Sequence, residues 1–85
     1  MTSSINITRK KLLWRAKHRG TQELDILLGR FAEKHLANMD IQTLKQFENF
    51  MELAEPKLMR IFQREEHLPK DTPYPLKTML ELYLS

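Results

Sequence analysis

The residues with the greatest chemical reach lie in one short stretch, Lys17-His18-Arg19-Gly20-Thr21-Gln22-Glu23-Leu24-Asp25. Two cations, two acids, a histidine and a glycine crowd what the flanking pattern makes a helix–helix junction. Arg19 offers a planar fork of donors, and Glu23 can accept hydrogen bonds or pair with a histidine or arginine. Gly20 would let another backbone or ligand approach closely. The chemistry of such a set is recognition: a rigid polar knuckle for a partner, with Asp25, His18 and Trp14 as candidates for its rim. The same residue types also suit plain helix ends. Arg19 favours a helix C-terminus, Gly20 a left-handed turn, and Glu23 a helix N-terminus. Both readings stand at this point.

No other constellation points to catalysis. The chain has no cysteine, so thiolate chemistry, disulfides and thiolate metal sites are excluded. Ser3, Ser4 and Ser85 lie near the ends, outside any glycine-rich elbow. His18, His35 and His67 show no i, i+4 pair and no HExxH, so no zinc site is expected. His35 falls on an apolar helix face and reads as a packed core residue; His67 borders a loop and reads as solvated. No P-loop or GxGxxG is written here, so the chain is not expected to bind a cofactor of its own. Phe31, Phe47, Phe50 and Phe62 recur at helical spacing and read as core.

The elements that must position these residues are helical throughout; β-branched alternation between turn residues is missing. Residues 1–7 are polar and read as a flexible N-terminus, with 8–85 as a single domain. Thr8 is expected to cap a first helix over 9–18, carrying Leu12, Leu13 and Ala16 on its apolar side, and Gly20 ends it. Leu24, Leu27, Leu28, Phe31, Ala32, His35 and Leu36 share one face of a second helix, capped by Thr21 or Gly20. Gly29 lies inside that helix at a cost of about 1 kcal/mol relative to Ala, which a close helix contact would explain. Asp40 caps a third helix with Leu44, Phe47, Phe50, Met51 and Ala54 as its stripe. Glu55-Pro56 reads as a cap followed by a first-turn proline, opening a fourth helix to about Glu66. A proline-bearing loop over 67–74 leads to a last helix with Leu76, Met79, Leu80 and Tyr83. The fold class is all-α, a small bundle of five helices.

Within Leu12-Leu13-Trp14-Arg15-Ala16-Lys17-His18-Arg19-Gly20-Thr21-Gln22-Glu23-Leu24-Asp25-Ile26-Leu27-Leu28-Gly29-Arg30-Phe31-Ala32, the Arg19-Gly20-x-x-Glu23 motif resembles the succinate dehydrogenase assembly factor family. These are the small flavinylation factors of proteobacteria and mitochondria, whose signature is RGxxE. The motif opens the second of five helices, the length agrees, and Glu55-Pro56-x-Leu58 is similar to the family's acidic-Pro-x-Leu entry to helix four. The similarity is strongest over residues 9–36. Lys17 stands where relatives often carry an aromatic residue, and Ile61 where they carry tryptophan. The resemblance implies a partner, the flavoprotein subunit of succinate dehydrogenase or fumarate reductase, and a role in the covalent attachment of FAD to a histidine of that subunit. It further implies that attachment is self-catalysed by the flavoprotein, so that the chain is an assembly chaperone and not an enzyme, with FAD the partner's cofactor. On this resemblance Arg19, Gly20 and Glu23 form the partner-binding centre.

At 85 residues the chain is too short for a cofactor-binding enzyme fold of its own. Its formal charge of +3 is unevenly spread. Residues 1–22 hold six Lys and Arg and no acid, whereas the remainder holds eight against eleven acids. The basic segment raises a nucleic-acid-binding or regulatory helical module as the alternative, although helices two to five are acidic and no recognition helix rich in Arg, Asn or Gln is evident. Membrane-surface binding by helix one is a further alternative, weakened by its short apolar face. No apolar run approaches the roughly 18 residues of a membrane span, so no membrane insertion is expected. The first 20 residues share the composition of a transit peptide, but the helical pattern runs on into Arg19-Gly20 without a cleavage break. The expected setting is a bacterial cytoplasm, with a mitochondrial matrix as the alternative.

Overall fold

Apolar residues three and four apart give a helix one greasy edge, and short helices of this kind are stable only when those edges meet. The computed structural model describes residues 4–85. The chain forms α1 (Ser4–Lys17), α2 (Gln22–His35), α3 (Ile41–Phe50), α4 (Glu55–Phe62) and α5 (Leu76–Leu84), with a 3-10 turn at Leu36–Asn38 between α2 and α3. No strand occurs among the described residues. The all-α expectation of five helices is met.

The edges converge on Phe31 of α2. Its ring lies 5.6 Å from that of Phe47, 6.2 Å from Phe62 and 5.1 Å from Tyr83, so α3, α4 and α5 all reach it. Leu12 and Ala16 of α1, Leu24 and Leu28 of α2, Leu58 of α4 and Leu80 of α5 complete a buried interior. Burying side chains of this size contributes about 1.5–3 kcal/mol each, which is the main stabilising term for a chain with no cross-links.

Three boundaries differ from expectation. Helix α1 begins at Ser4, and Thr8 lies inside it, with its hydroxyl donating back to the Ser4 carbonyl at 3.0 Å. Ile5 packs against the core, which gives residues 4–7 a reason to be helical. The first three residues of the expected loose N-terminus lie outside the described residues. At α4 the N-cap is Ala54, and Glu55 and Pro56 are the first helical residues. That makes Ala54 an exposed cap rather than part of the α3 stripe. The same helix stops at Phe62, short of Glu66, because Arg64 takes the left-handed conformation (φ 64°). The Glu65 amide then closes the end by donating to the Arg60 carbonyl at 2.8 Å. Arg64 is spared for this costly position by its side chain: its Nε donates to the Leu84 carbonyl at 2.9 Å, joining α4 to the end of α5.

The other caps follow the sequence. Thr21 Oγ1 accepts from the Leu24 amide at 3.4 Å and opens α2. Asp40 Oδ1 accepts from the Thr43 amide at 2.8 Å and from its hydroxyl at 2.7 Å. The amide and then the hydroxyl of Thr43 hold the Asp40 carboxyl below the usual carboxylate range.

Helices α1 and α2 run antiparallel, which sets the turn between them. Gly29 faces Lys17: a Cβ on Gly29 would stand 3.0 Å from Lys17 Cγ. The expected close helix contact is therefore present, and Lys17 goes on to pair with Glu33. At the far end Arg9 donates to the Leu36 carbonyl at 3.1 Å and the Met39 carbonyl at 2.7 Å, capping the 3-10 turn. Arg15 bridges α1 to Glu48 at 3.2 Å and to Glu52 at 2.8 Å beside α3.

Candidate functional site

The turn from α1 to α2 is built around one carboxylate. Asp25, in the first turn of α2, accepts from the Arg19 amide at 2.5 Å and from the Gly20 amide at 3.3 Å, both on Oδ1. Two successive backbone donors are thus tied back to the helix that follows them. Gly20 has φ +131°, a region that side-chain-bearing residues avoid, so glycine is required there for conformation alone. A Cβ at this position would also approach Glu55 Oε1 to 3.0 Å. Gly20 itself is exposed, so a backbone from outside can reach it.

Arg19 is only half-exposed. Its Nη2 donates to the Leu53 carbonyl in the α3–α4 turn at a long 3.4 Å, while its Nε is buried with no hydrogen-bond partner among the described residues. No carboxylate pairs with it among the described residues. A guanidinium carries five N–H donors, so most of the capacity of Arg19 is unspent.

Glu23 lies exposed in the first turn of α2, and its Oε1 accepts from Gln63 Nε2 at 2.9 Å. Trp14 and His18 form a separate pair one turn up α1. Their rings stack with centroids 4.2 Å apart and 16° between planes, and His18 Nδ1 donates to the Trp14 carbonyl at 2.6 Å. Trp14 is 62% exposed, an unusual state for the largest apolar side chain in the molecule.

The six expected site residues therefore fall into three groups. Arg19, Gly20 and Asp25 are joined by hydrogen bonds, Trp14 and His18 by stacking, and Glu23 is tied to Gln63 at the end of α4. Asp25, expected at the rim, turns its carboxylate onto the knuckle's own backbone. Gln63 and the approach of Glu55 to Gly20 were not foreseen. Both sit on α4, some 30 to 40 positions along the chain from the motif, and no local pattern marks them. His35, expected in the core, is half-buried against Phe31 and Tyr83.

The donor set decides what the knuckle can hold. The two successive backbone N–H groups at Arg19 and Gly20, which could otherwise cradle a phosphate, are already taken by the Asp25 carboxylate, which also repels anions. The residues present do not fit a flavin nucleotide cradle. Among the described residues no group of three or more His, Cys, Asp or Glu could hold a metal ion. No helix among them is long and apolar enough to cross a membrane. The arrangement is a fixed turn flanked by a carboxylate acceptor, a guanidinium without a carboxylate partner and an exposed indole.

Residues 10–83 match the family model described as flavinator of succinate dehydrogenase. The chain is 38% identical over 74 residues to an FAD assembly factor of Acetobacter pasteurianus, covering 86% of this chain and 68% of that protein. It is 33% identical over 63 residues to the mitochondrial succinate dehydrogenase assembly factor 2 of Arabidopsis thaliana, covering 74% of this chain and 34% of the relative. It is 43% identical over 47 residues to the protein of that name in Caenorhabditis elegans, covering 55% and 40%. The chain thus spans about two thirds of the bacterial relative and well under half of these mitochondrial ones. No solved structure matches it. A family model that runs from α1 to α5 leaves no element of the bundle outside the match, and the chain belongs to the succinate dehydrogenase flavinator family.

Proposed function

We propose that this chain binds the flavoprotein subunit of succinate dehydrogenase, or of fumarate reductase, and promotes covalent attachment of FAD to a histidine of that subunit. The observation that carries the proposal is the state of Arg19. The turn around it is held by Asp25, yet the guanidinium makes one long hydrogen bond through Nη2, and no carboxylate among the described residues neutralises it. A half-buried, unneutralised guanidinium on a fixed turn suits capture of a carboxylate. In this mechanism Arg19 takes carboxylates of the immature subunit, and Gly20 permits close backbone approach. Glu23 orients the acceptor histidine, or a neighbour of it, by a charge-assisted hydrogen bond. Trp14 and His18 supply an aromatic edge to the same contact. The bond to flavin is made within the flavoprotein, and this chain acts as an accessory protein that binds and orients. The setting is a bacterial cytoplasm, with a mitochondrial matrix as the alternative; the bacterial relative is the one covered over most of its length.

Co-expression with the cognate flavoprotein subunit tests this. Protein-bound flavin fluorescence is read after denaturation, with the wild-type chain, with Glu23→Ala, with Gly20→Arg and without the chain. The expected outcome is covalent flavin with the wild type only, both variants retaining helical circular dichroism. Covalent flavin independent of the chain defeats the proposal. Loss of helicity in both variants assigns Gly20 and Glu23 to folding instead.

A further inference from the structure

Helix α4 lies behind the α1–α2 turn and touches it at both ends. At its first residue, Glu55 Oε1 comes within 3.0 Å of the place a Cβ on Gly20 would occupy. At its C-cap, Gln63 Nε2 donates to Glu23 Oε1 at 2.9 Å. The second contact is the informative one. Glu23 is exposed at the start of α2, and among the described residues its carboxylate has no hydrogen-bond or ion-pair partner besides Gln63. A glutamate of that kind samples several rotamers, and fixing one of them is part of the cost of any docking that uses it.

Gln63 is well placed to remove that cost in advance. Its backbone is fixed: the amide of Gln63 donates to the Met59 carbonyl at 2.9 Å, and the next residue, Arg64, is anchored to Leu84. Its side chain is a neutral donor. A lysine or arginine there would orient Glu23 but also neutralise it, whereas an amide orients the carboxylate and leaves its charge. A carboxylate has about four acceptor sites on two oxygens, so one bond to Gln63 leaves most of its capacity for a partner.

We infer that Gln63 is a positioning residue for Glu23, holding its carboxylate in the docking rotamer before the partner arrives. The inference rests on the proposed role of Glu23 in partner binding. A positioning role and an independent one differ in a measurable way, because only the first disappears when Glu23 is absent.

The experiment is a double-mutant cycle on the full chain: wild type, Gln63→Met, Glu23→Ala and the double variant. Each is titrated into apo flavoprotein subunit with FAD, and the rate of covalent flavin formation is followed. The affinity of each labelled chain for the apo subunit is read alongside by fluorescence anisotropy. Gln63→Met keeps the side-chain length and removes the donor at an exposed site, so its circular dichroism and melting should match wild type. The half-maximal concentration should rise by about 2- to 10-fold, the range the net effect of a single exposed hydrogen bond supports, with the maximal rate retained. On the Glu23→Ala background, which is expected to form no covalent flavin, the readout is the affinity from anisotropy, and the same substitution should leave it unchanged. An effect of equal size in both backgrounds overturns the inference, as does wild-type behaviour of Gln63→Met beside an impaired Glu23→Ala. Wild-type behaviour of Glu23→Ala is a different failure: it removes the role of Glu23 itself, and the positioning role with it.

Discussion

His35 enters the folded state most readily as a neutral ring. It packs at 4.7 Å from the Phe31 ring and 5.7 Å from Tyr83, and its Nε2 is buried with no hydrogen-bond partner among the described residues. Burial, and secondarily the neighbouring Lys34 charge, push its pKa below the ordinary 6.5. The unfolded chain then binds the proton more readily than the folded one. The stability due to this group is full above pH 6.5 and is lost as pH falls from there to the depressed folded value. Asp40 and Glu66 act lower on the scale. The hydrogen bonds from Thr43 hold the first carboxyl down, and those from Lys57 and then Arg60 the second, so their contributions are present above their ordinary values of 3.8 and 4.5 and vanish as pH falls through the folded ones. Urea midpoints measured from about pH 7.5 down to pH 5 should therefore decline in the wild type and stay level in His35→Phe, with the acid limb common to both. A level wild-type profile would contradict the burial argument. Gly20 makes a second prediction at this scale. Gly20→Ala meets both an unfavourable φ of +131° and the Glu55 oxygen at 3.0 Å. The oxygen ends a flexible side chain and can move; the backbone cannot. Gly20→Ala should cost about 1–3 kcal/mol in denaturant unfolding, and Gly20→Ala/Glu55→Ala should recover little of it. Full recovery would mean that contact, not conformation, requires the glycine.

Between elements, the contact of Gly29 with Lys17 explains a residue that helix propensity disfavours. Replacing glycine by alanine inside an exposed helix ordinarily gains about 1 kcal/mol. Here the new methyl would stand 3.0 Å from Lys17 Cγ, in the middle of the side chain, and moving it disturbs the pair with Glu33. Gly29→Ala alone should thus stabilise by clearly less than that amount, and Gly29→Ala in a Lys17→Ala background by close to all of it. Thermal melts of the four proteins check this, and equal gains in both backgrounds would show that Lys17 yields freely. The same pair marks where sequence reasoning stops. The buried positions Leu24, Leu28, Phe31 and Ala32 of α2, Leu44, Phe47 and Phe50 of α3, and Leu76 and Leu80 of α5, with the Asp40 cap and the break at Gly20, are local patterns found where the spacing puts them, whereas Ala54 leaves the α3 stripe. The start of α1 lies beyond local reading because its five extra residues, Ser4 to Thr8, are held by Ile5 against a core made of other helices. The end of α4 lies beyond local reading because a non-glycine residue, Arg64, takes the left-handed turn while its side chain bonds to the Leu84 carbonyl of α5. At the candidate site the motif itself was legible, since Arg19, Gly20, Glu23 and Asp25 are neighbours in sequence. The parts contributed by α4, Gln63 and Glu55, are neighbours only in space.

At the scale of the whole molecule, the uneven charge takes on a different meaning. Of the six cations in residues 1–22, Arg9 caps carbonyls at Leu36 and Met39, Arg15 pairs with Glu48 and Glu52, and Lys17 pairs with Glu33. Arg19 is drawn into the α3–α4 turn through Leu53. Each exposed pair contributes about 1 kcal/mol or less to stability, but together they point these side chains toward the acidic body of the same chain. Lys10 and Lys11 remain, both exposed and without a hydrogen bond or ion pair among the described residues. This matters for the nucleic-acid alternative, because affinity for duplex DNA falls with salt at a slope of about −0.9 for each phosphate neutralised. Six free cations would give a slope of about −5, whereas Lys10 and Lys11 with the unneutralised Arg19 give about −3. A fluorescently labelled duplex titrated with the chain should therefore show no anisotropy change at about 150 mM salt and micromolar protein, and only weak binding at low salt with the shallow slope. A slope near −5 would mean that the intramolecular pairs open to a polyanion, and that the N-terminal segment is an electrostatic arm after all. The shallow slope leaves Arg9, Arg15 and Lys17 as staples that hold α1 against the bundle, so that the turn after it, with Arg19 and Gly20, keeps the fixed shape that the proposed docking requires.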